Sequence, residues 1–252
     1  MNRSTRTRLG SALLAATVIW AGPLAAPAFL GSAALADTQS DAIASAMSSA
    51  IAAVNAGSYP DAAAKAAAMQ AAISTATASL IGTYGAGALA IIVTAALNAG
   101  ASASSVAAGT FGGAVSAGVS AETAASTVVT ASVAAGASAS TVTSAVIAEA
   151  SASGASSTGV ANGLALAAVT IEKTDPTAAA SIGSTVASEG SEGMGAQFSS
   201  TVTANGGSTQ LASTGTSNPT VTGSTNSNTD QTNTNTNTDT TLPSTCSNAT
   251  CS

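Results

Sequence analysis

The chain has 252 residues, of which 46% are hydrophobic and only 6% charged, with a net charge of −6. It holds no histidine, and its two cysteines, Cys246 and Cys251, both lie near the end. This excludes a basic nucleic-acid footprint, histidine-based general-base or triad chemistry, and the zinc sites built on histidine or several cysteines.

These residue types point to a protein that is not an enzyme, with no metal site, no cofactor and no nucleic-acid partner. Residues 1–36 read as a secretory signal peptide. Arg3, Arg6 and Arg8 form a basic start, an apolar run follows, and Ala34, Leu35 and Ala36 precede the polar Asp37. Cleavage after Ala36 implies export to the cell surface, the extracellular space or a periplasm. It also removes every arginine, leaving two lysines against eleven acidic residues, a net charge of −9. So sparsely charged a chain must build its surface from Ser, Thr, Asn and Ala, which repels itself weakly and leaves room for self-association.

Residues 37–81 are expected to form two capping helices. Ile43, Met47, Ile51 and Val54 recur at helical spacings and make one apolar stripe. The second helix is expected to start at Ser58 as N-cap, with Pro60 in its first turn and Asp61 near the positive end of the helix dipole. Its stripe is Met69, Ile73 and Leu80, and it should end near Gly82.

Residues 82–198 repeat. Gly82, Gly100, Gly118, Gly136, Gly154 and Gly190 fall at multiples of 18 residues, with Glu172 in the remaining slot. A fixed period defines the unit from which a fold is assembled. Counting each glycine as position 1, position 3 holds Ser102, Ser120, Ser138, Ser156 and Thr174, which are helix-capping residues. Position 7 carries Ala88, Val106, Ala124, Val142, Val160 and Ala178. Position 11 carries Ile92, Thr110, Val128, Val146, Leu164 and Ile182, and position 16 carries Leu97, Val115, Val133, Ser151, Val169 and Ala187. Steps of four and five between these positions fit one face of a helix and fit a strand poorly, although the Ser, Thr and Val content also suits a β-solenoid. The unit is a glycine turn, a Ser or Thr cap, and a helix of roughly 12–14 residues, about 20 Å long. Glu172 opens a unit in which Thr174, Asp175 and Pro176 supply a cap, an acid and a first-turn proline.

One unit buries about three aliphatic side chains, roughly 5–9 kcal/mol, against about 25 kcal/mol to order its residues. Units must therefore stack, and alanine and glycine at the contacts let helix axes come close. The expected fold is all-α: an alanine-rich, solenoid-like array of 18-residue helix-turn units. Residues 199–252 are rich in Thr, Asn and Ser and are expected to be a disordered tail, with Cys246 and Cys251 joined as a small disulfide in an oxidising compartment.

Two features bear on function. The acids Glu122, Glu149, Glu172, Asp175, Glu189 and Glu192 fall near helix starts or turns, where solvated positions are expected. No charge occurs between Lys65 and Glu122, so residues 66–121 offer an alternative reading as a membrane-inserting or pore-forming segment, with residues 80–100 long enough to span. The register of the glycines and apolar positions favours a core helix there. The leading expectation is an exported structural or interaction protein of adhesion or matrix type. Its partner would be another copy or an envelope or matrix component.

Overall fold

The computed structural model describes residues 31–216, and among these every regular element is helical. The helices are α1 (Gly31–Ala56), α2 (Ala62–Tyr84), α3 (Leu89–Asn98), α4 (Ala103–Ser116), α5 (Ala121–Ala134), α6 (Ala139–Ser153), α7 (Ser157–Glu172), α8 (Pro176–Glu189), α9 (Met194–Ala204) and α10 (Thr209–Thr214). A single 3-10 turn, Ala86–Ala88, leads into α3.

The 18-residue beat has a backbone cause. After α4, Gly118 adopts a left-handed conformation (φ +87°) that a side chain would strain. This turn lets the Gly118 N–H donate to the Val115 carbonyl and the Val119 N–H donate to the Ala114 carbonyl, each at 3.0 Å. Carbonyls left open by the helix end are thereby satisfied, in the Schellman arrangement. Two residues later the Ser120 hydroxyl accepts the Thr123 N–H at 3.2 Å and starts α5. The same turn follows α3 and α5, and Ser102 and Ser156 cap as Ser120 does. Ser138 stands at the start of α6, but its hydroxyl pairs with that of Ser140.

Four positions differ from expectation. Gly82 lies inside α2 rather than in a turn, and the helix runs on to Gly85, where φ is +79°. Gly190 ends α8 with extended backbone, and the left-handed turn comes at Gly193 instead. Asp61, not Ser58, caps α2, accepting the Ala64 N–H at 2.7 Å. Asp175, not Thr174, caps α8 through the Ala178 N–H at 2.9 Å, with Pro176 following it. At both starts an aspartate takes the cap in place of a hydroxyl residue earlier in the chain, and the positive end of the helix dipole favours a carboxylate there.

The helices alternate between two layers. α1, α3, α5, α7 and α9 stack side by side in one, and α2, α4, α6, α8 and α10 in the other, so each helix packs against those two before and two after it. All six position-11 residues are buried between the layers, and so are five of the six at position 7, Ala178 being half-buried. Position 16 lies at the edge of the core: Leu97, Val115, Val133 and Val169 are half-buried and pack against it, Ala187 is half-buried, and Ser151 is exposed. These residues fall in or near the last helical turn, where the layers end.

Within a layer, glycines off the beat set the spacing. A Cβ on Gly109 would stand 2.7 Å from the Gln70 carbonyl oxygen and 2.9 Å from Ile73 Cβ, so α4 lies almost backbone-to-backbone on α2. Gly113 repeats the contact one turn on, against Ser74 and Thr77, and Gly163 of α7 does the same against Glu122 and Ala125 of α5. Three buried hydroxyls, on Thr77, Ser132 and Thr143, have no hydrogen-bond partner, whereas the buried Thr110 donates to the Val106 carbonyl at 2.6 Å.

The array continues past residue 198, into the segment expected to be disordered. Phe198 and Val202 of α9 and Leu211 of α10 are buried, and the connection between those helices rebuilds the repeat turn. There Gly206 takes φ +75°, the Gly207 N–H donates to the Val202 carbonyl at 2.9 Å, and Ser208 caps α10. Most of the signal-peptide segment, and the tail from residue 217 with Cys246 and Cys251, lie outside the described residues.

The uncharged stretch at residues 80–100 is not one helix. It is divided among the end of α2, the 3-10 turn and the ten-residue α3, which is about 15 Å long. Among the described residues no helix is long and apolar enough to cross a membrane.

Candidate functional site

The layer of even-numbered helices carries a groove of about 500 Å³ over α4, between α2 and α6. Its existence follows from residue size. α4 offers Ser104, Ser105 and Ala108 as a floor; α2 offers Ala63, Ala66 and Ala67 as one wall, and α6 offers Ala145, Ala148 and Ala152 as the other. Because Gly109 and Gly113 draw α4 tightly onto α2, and Gly112 has no side chain facing α6, the middle helix is recessed.

A polar pair crosses the groove at Gly112. The Gln70 side-chain amide of α2 donates to Glu149 Oε2 of α6 at 2.5 Å, bridging two helices that are not neighbours in their layer. Glu149 Oε1 lies over Gly112, where a Cβ would stand 2.5 Å from it. Burial pushes the Glu149 carboxyl above the ordinary carboxylate range, and the Gln70 hydrogen bond pulls it back only in part. Glu149 therefore departs from the solvated position expected of it: a late-helix residue, it leans over its neighbour because glycine leaves room there.

Two other acids also act between helices. Glu172, the last residue of α7, accepts both the backbone N–H and the hydroxyl of Ser208, the cap of α10. Glu189, at the end of α8, accepts the Ser144 hydroxyl of α6. A carboxylate at a helix C-terminus meets the negative end of the dipole, and these hydroxyl donors offset that. Glu122 does occupy the first turn of its helix, as expected. In the other layer, Asn162 of α7 accepts from Gln197 at 2.7 Å and from Thr201 at 2.8 Å, tying it to α9. Reading spacing alone missed these clasps, since each joins residues 35 to 79 apart.

Chemically, the groove offers a largely apolar trough, one hydrogen-bond-accepting carboxylate, one amide and the hydroxyls of Ser104 and Ser105. No nucleophile–base pair is brought together there, and among the described residues no group of three or more Cys, Asp or Glu side chains is placed to hold a metal ion. The glycines expected to form turns, Gly100, Gly118, Gly136 and Gly154, lie at helix ends with open space around them and take no part in the groove. Large apolar side chains are almost wholly withdrawn from the described surface, where Tyr84 is the exposed exception at 38%. Compared with known proteins, the chain matches no family, no curated protein and no solved structure.

Proposed function

We propose that the protein is an exported, non-enzymatic interaction protein of the cell surface or extracellular space, in which a stiff helical array presents broad Ser/Thr/Ala faces and a groove to a partner. The observation that carries this reading is how the polar groups are used. The caps start helices, and the clasping acids Glu149, Glu172 and Glu189 join them, so the outward surface is mostly Ser, Thr and Ala with a few scattered charges such as Lys65, Lys173 and Glu192. The partner is a second copy or an envelope or matrix component. Export rests on residues 1–36. The buried stripe of α1 among the described residues, Ile43, Met47, Ile51 and Val54, lies beyond that segment and is retained when it is removed.

Insertion of residues 66–121 into a bilayer is the less favoured reading, because it would take Leu89, Ile92, Val93, Val106 and Phe111 out of the core they share. Cell fractionation with N-terminal sequencing tests the proposal. The expected product starts at Asp37 and is recovered outside the cytoplasm, released from membranes by alkaline carbonate and bound to envelope or matrix material or to itself. An intact N-terminus in the cytoplasm would overturn export. A carbonate-resistant product that releases dye from liposomes would favour insertion.

A further inference from the structure

We infer that the groove over α4 is a binding site for an unbranched aliphatic primary amine, whose chain lies along the alanine walls and whose ammonium meets Glu149. This goes beyond the proposed function and does not depend on where the protein resides.

Three observations lead to it. First, the groove is a surface trough walled by small side chains. Its walls are methyl groups on α2 and α6, with Ala63 to Gln70 separated by seven residue steps, about 10 Å at the helical rise. That length matches an extended chain of about eight carbons. Second, the walls have little to give a polar ligand body. Helix backbone groups bond within their own helices, and the floor hydroxyls of Ser104 and Ser105 already pair with Ser102, so a peptide laid along the trough would find few partners for its amides, whereas an alkyl chain needs none. Third, the polar end of the groove lacks a cation. Glu149 is partly desolvated, no lysine or arginine offsets its charge among the described residues, and Gln70 occupies only Oε2. Glu149 Oε1 and the side-chain amide oxygen of Gln70 are both acceptors, suited to a group that is donor-only and positively charged. An ammonium is such a group, with three N–H donors and no acceptor.

The test is a titration of the purified protein with n-octylammonium, followed by calorimetry or by amide chemical shifts. Saturable binding is expected, with shifts centred on α2, α4 and α6, and affinity should rise about fourfold per methylene up to the filled length. Glu149→Gln keeps the size of the side chain and a partner for Gln70, and it should weaken octylammonium binding at least about tenfold. Octanol should bind no better to the wild-type protein than octylammonium does to Glu149→Gln. Ala148→Leu, at an exposed wall position, should block the trough without touching the carboxylate. Circular dichroism of each variant separates loss of the site from loss of the fold. Three results would each overturn the inference: no saturable binding at millimolar ligand, equal affinity for octanol, or equal affinity of folded Glu149→Gln.

Discussion

Replacing Gly113 by alanine asks whether close helix approach, rather than helix propensity, governs these glycines. In a solvated helix, glycine to alanine gains about 0.5–1 kcal/mol. Gly82 in α2 is such a case, being exposed with nothing within 4 Å of a built Cβ. Gly82→Ala is therefore expected to raise the melting temperature by about 2–4 °C, as about 1 kcal/mol does in a protein of this size. At Gly113 the same methyl group would stand 2.8 Å from Thr77 Cβ and closer still to the Ser74 carbonyl oxygen. Backbone cannot swing aside as a flexible side chain does, so α4 must move off α2 along one of the most extensive helix contacts in the array. Overpacking of this kind costs about 1–3 kcal/mol, which exceeds the propensity gain and should lower the melting temperature by several degrees. The assay is thermal and urea unfolding followed by circular dichroism, with the urea slope compared between variants because repeat arrays can lose cooperativity. If Gly113→Ala is stabilised as Gly82→Ala is, the helices of this layer are free to respace and the argument fails. Gly163→Ala repeats the test in the other layer, against Glu122 and Ala125.

Other expectations rest on single groups. Thr143→Val removes a buried hydroxyl that has no partner and keeps the shape, so urea unfolding should show a gain of about 1 kcal/mol. Ser120→Ala deletes the cap of α5, and the same measurement should show a loss of about 1 kcal/mol, largely recovered by Ser120→Asp. Glu149 should make stability depend on pH. Its folded-state pKa is raised, so the folded protein holds the proton more tightly than the unfolded chain does. The Glu149 contribution to stability thus falls as pH rises from the ordinary carboxylate range through the raised value, and returns on acidification. Melting curves of Glu149→Gln against wild type between about pH 3 and pH 8 should diverge with rising pH, the variant gaining. A constant difference would mean that Glu149 titrates as a solvated acid.

Sequence periodicity revealed the unit but not the way units meet. Positions 7 and 11 were legible as core because each side chain points the same way in every 18-residue copy, and the Ser caps were legible from turn chemistry. Position 16 was legible only in part, because spacing places it on the same face while the helix ends there, which leaves its aliphatic side chains half-buried at the core's edge. The contacts inside each layer were hidden for a different reason. Only glycines on the beat drew attention, whereas Gly109 with Gly113 and Gly159 with Gly163, each pair four residues apart, mark the faces where helices touch or nearly touch. The last two helices escaped notice because few large aliphatic residues occur there, yet Asn205, Gly206, Gly207 and Ser208 carry the turn chemistry of the earlier units. The groove was least legible of all. Gln70 and Glu149 are 79 residues apart and meet only because α4 is recessed between them.

The two-layer stacking constrains how such a chain can change length. Since helices alternate between layers, removing one 18-residue unit would move every helix downstream into the opposite layer. The glycine face of α4, which fits α2, would then be offered to a helix of the wrong row. Losing or adding two units together leaves each remaining helix in its own row. Gain and loss should therefore be tolerated in steps of 36 residues, and a set of deletion variants would show survival alternating with the parity of the units removed.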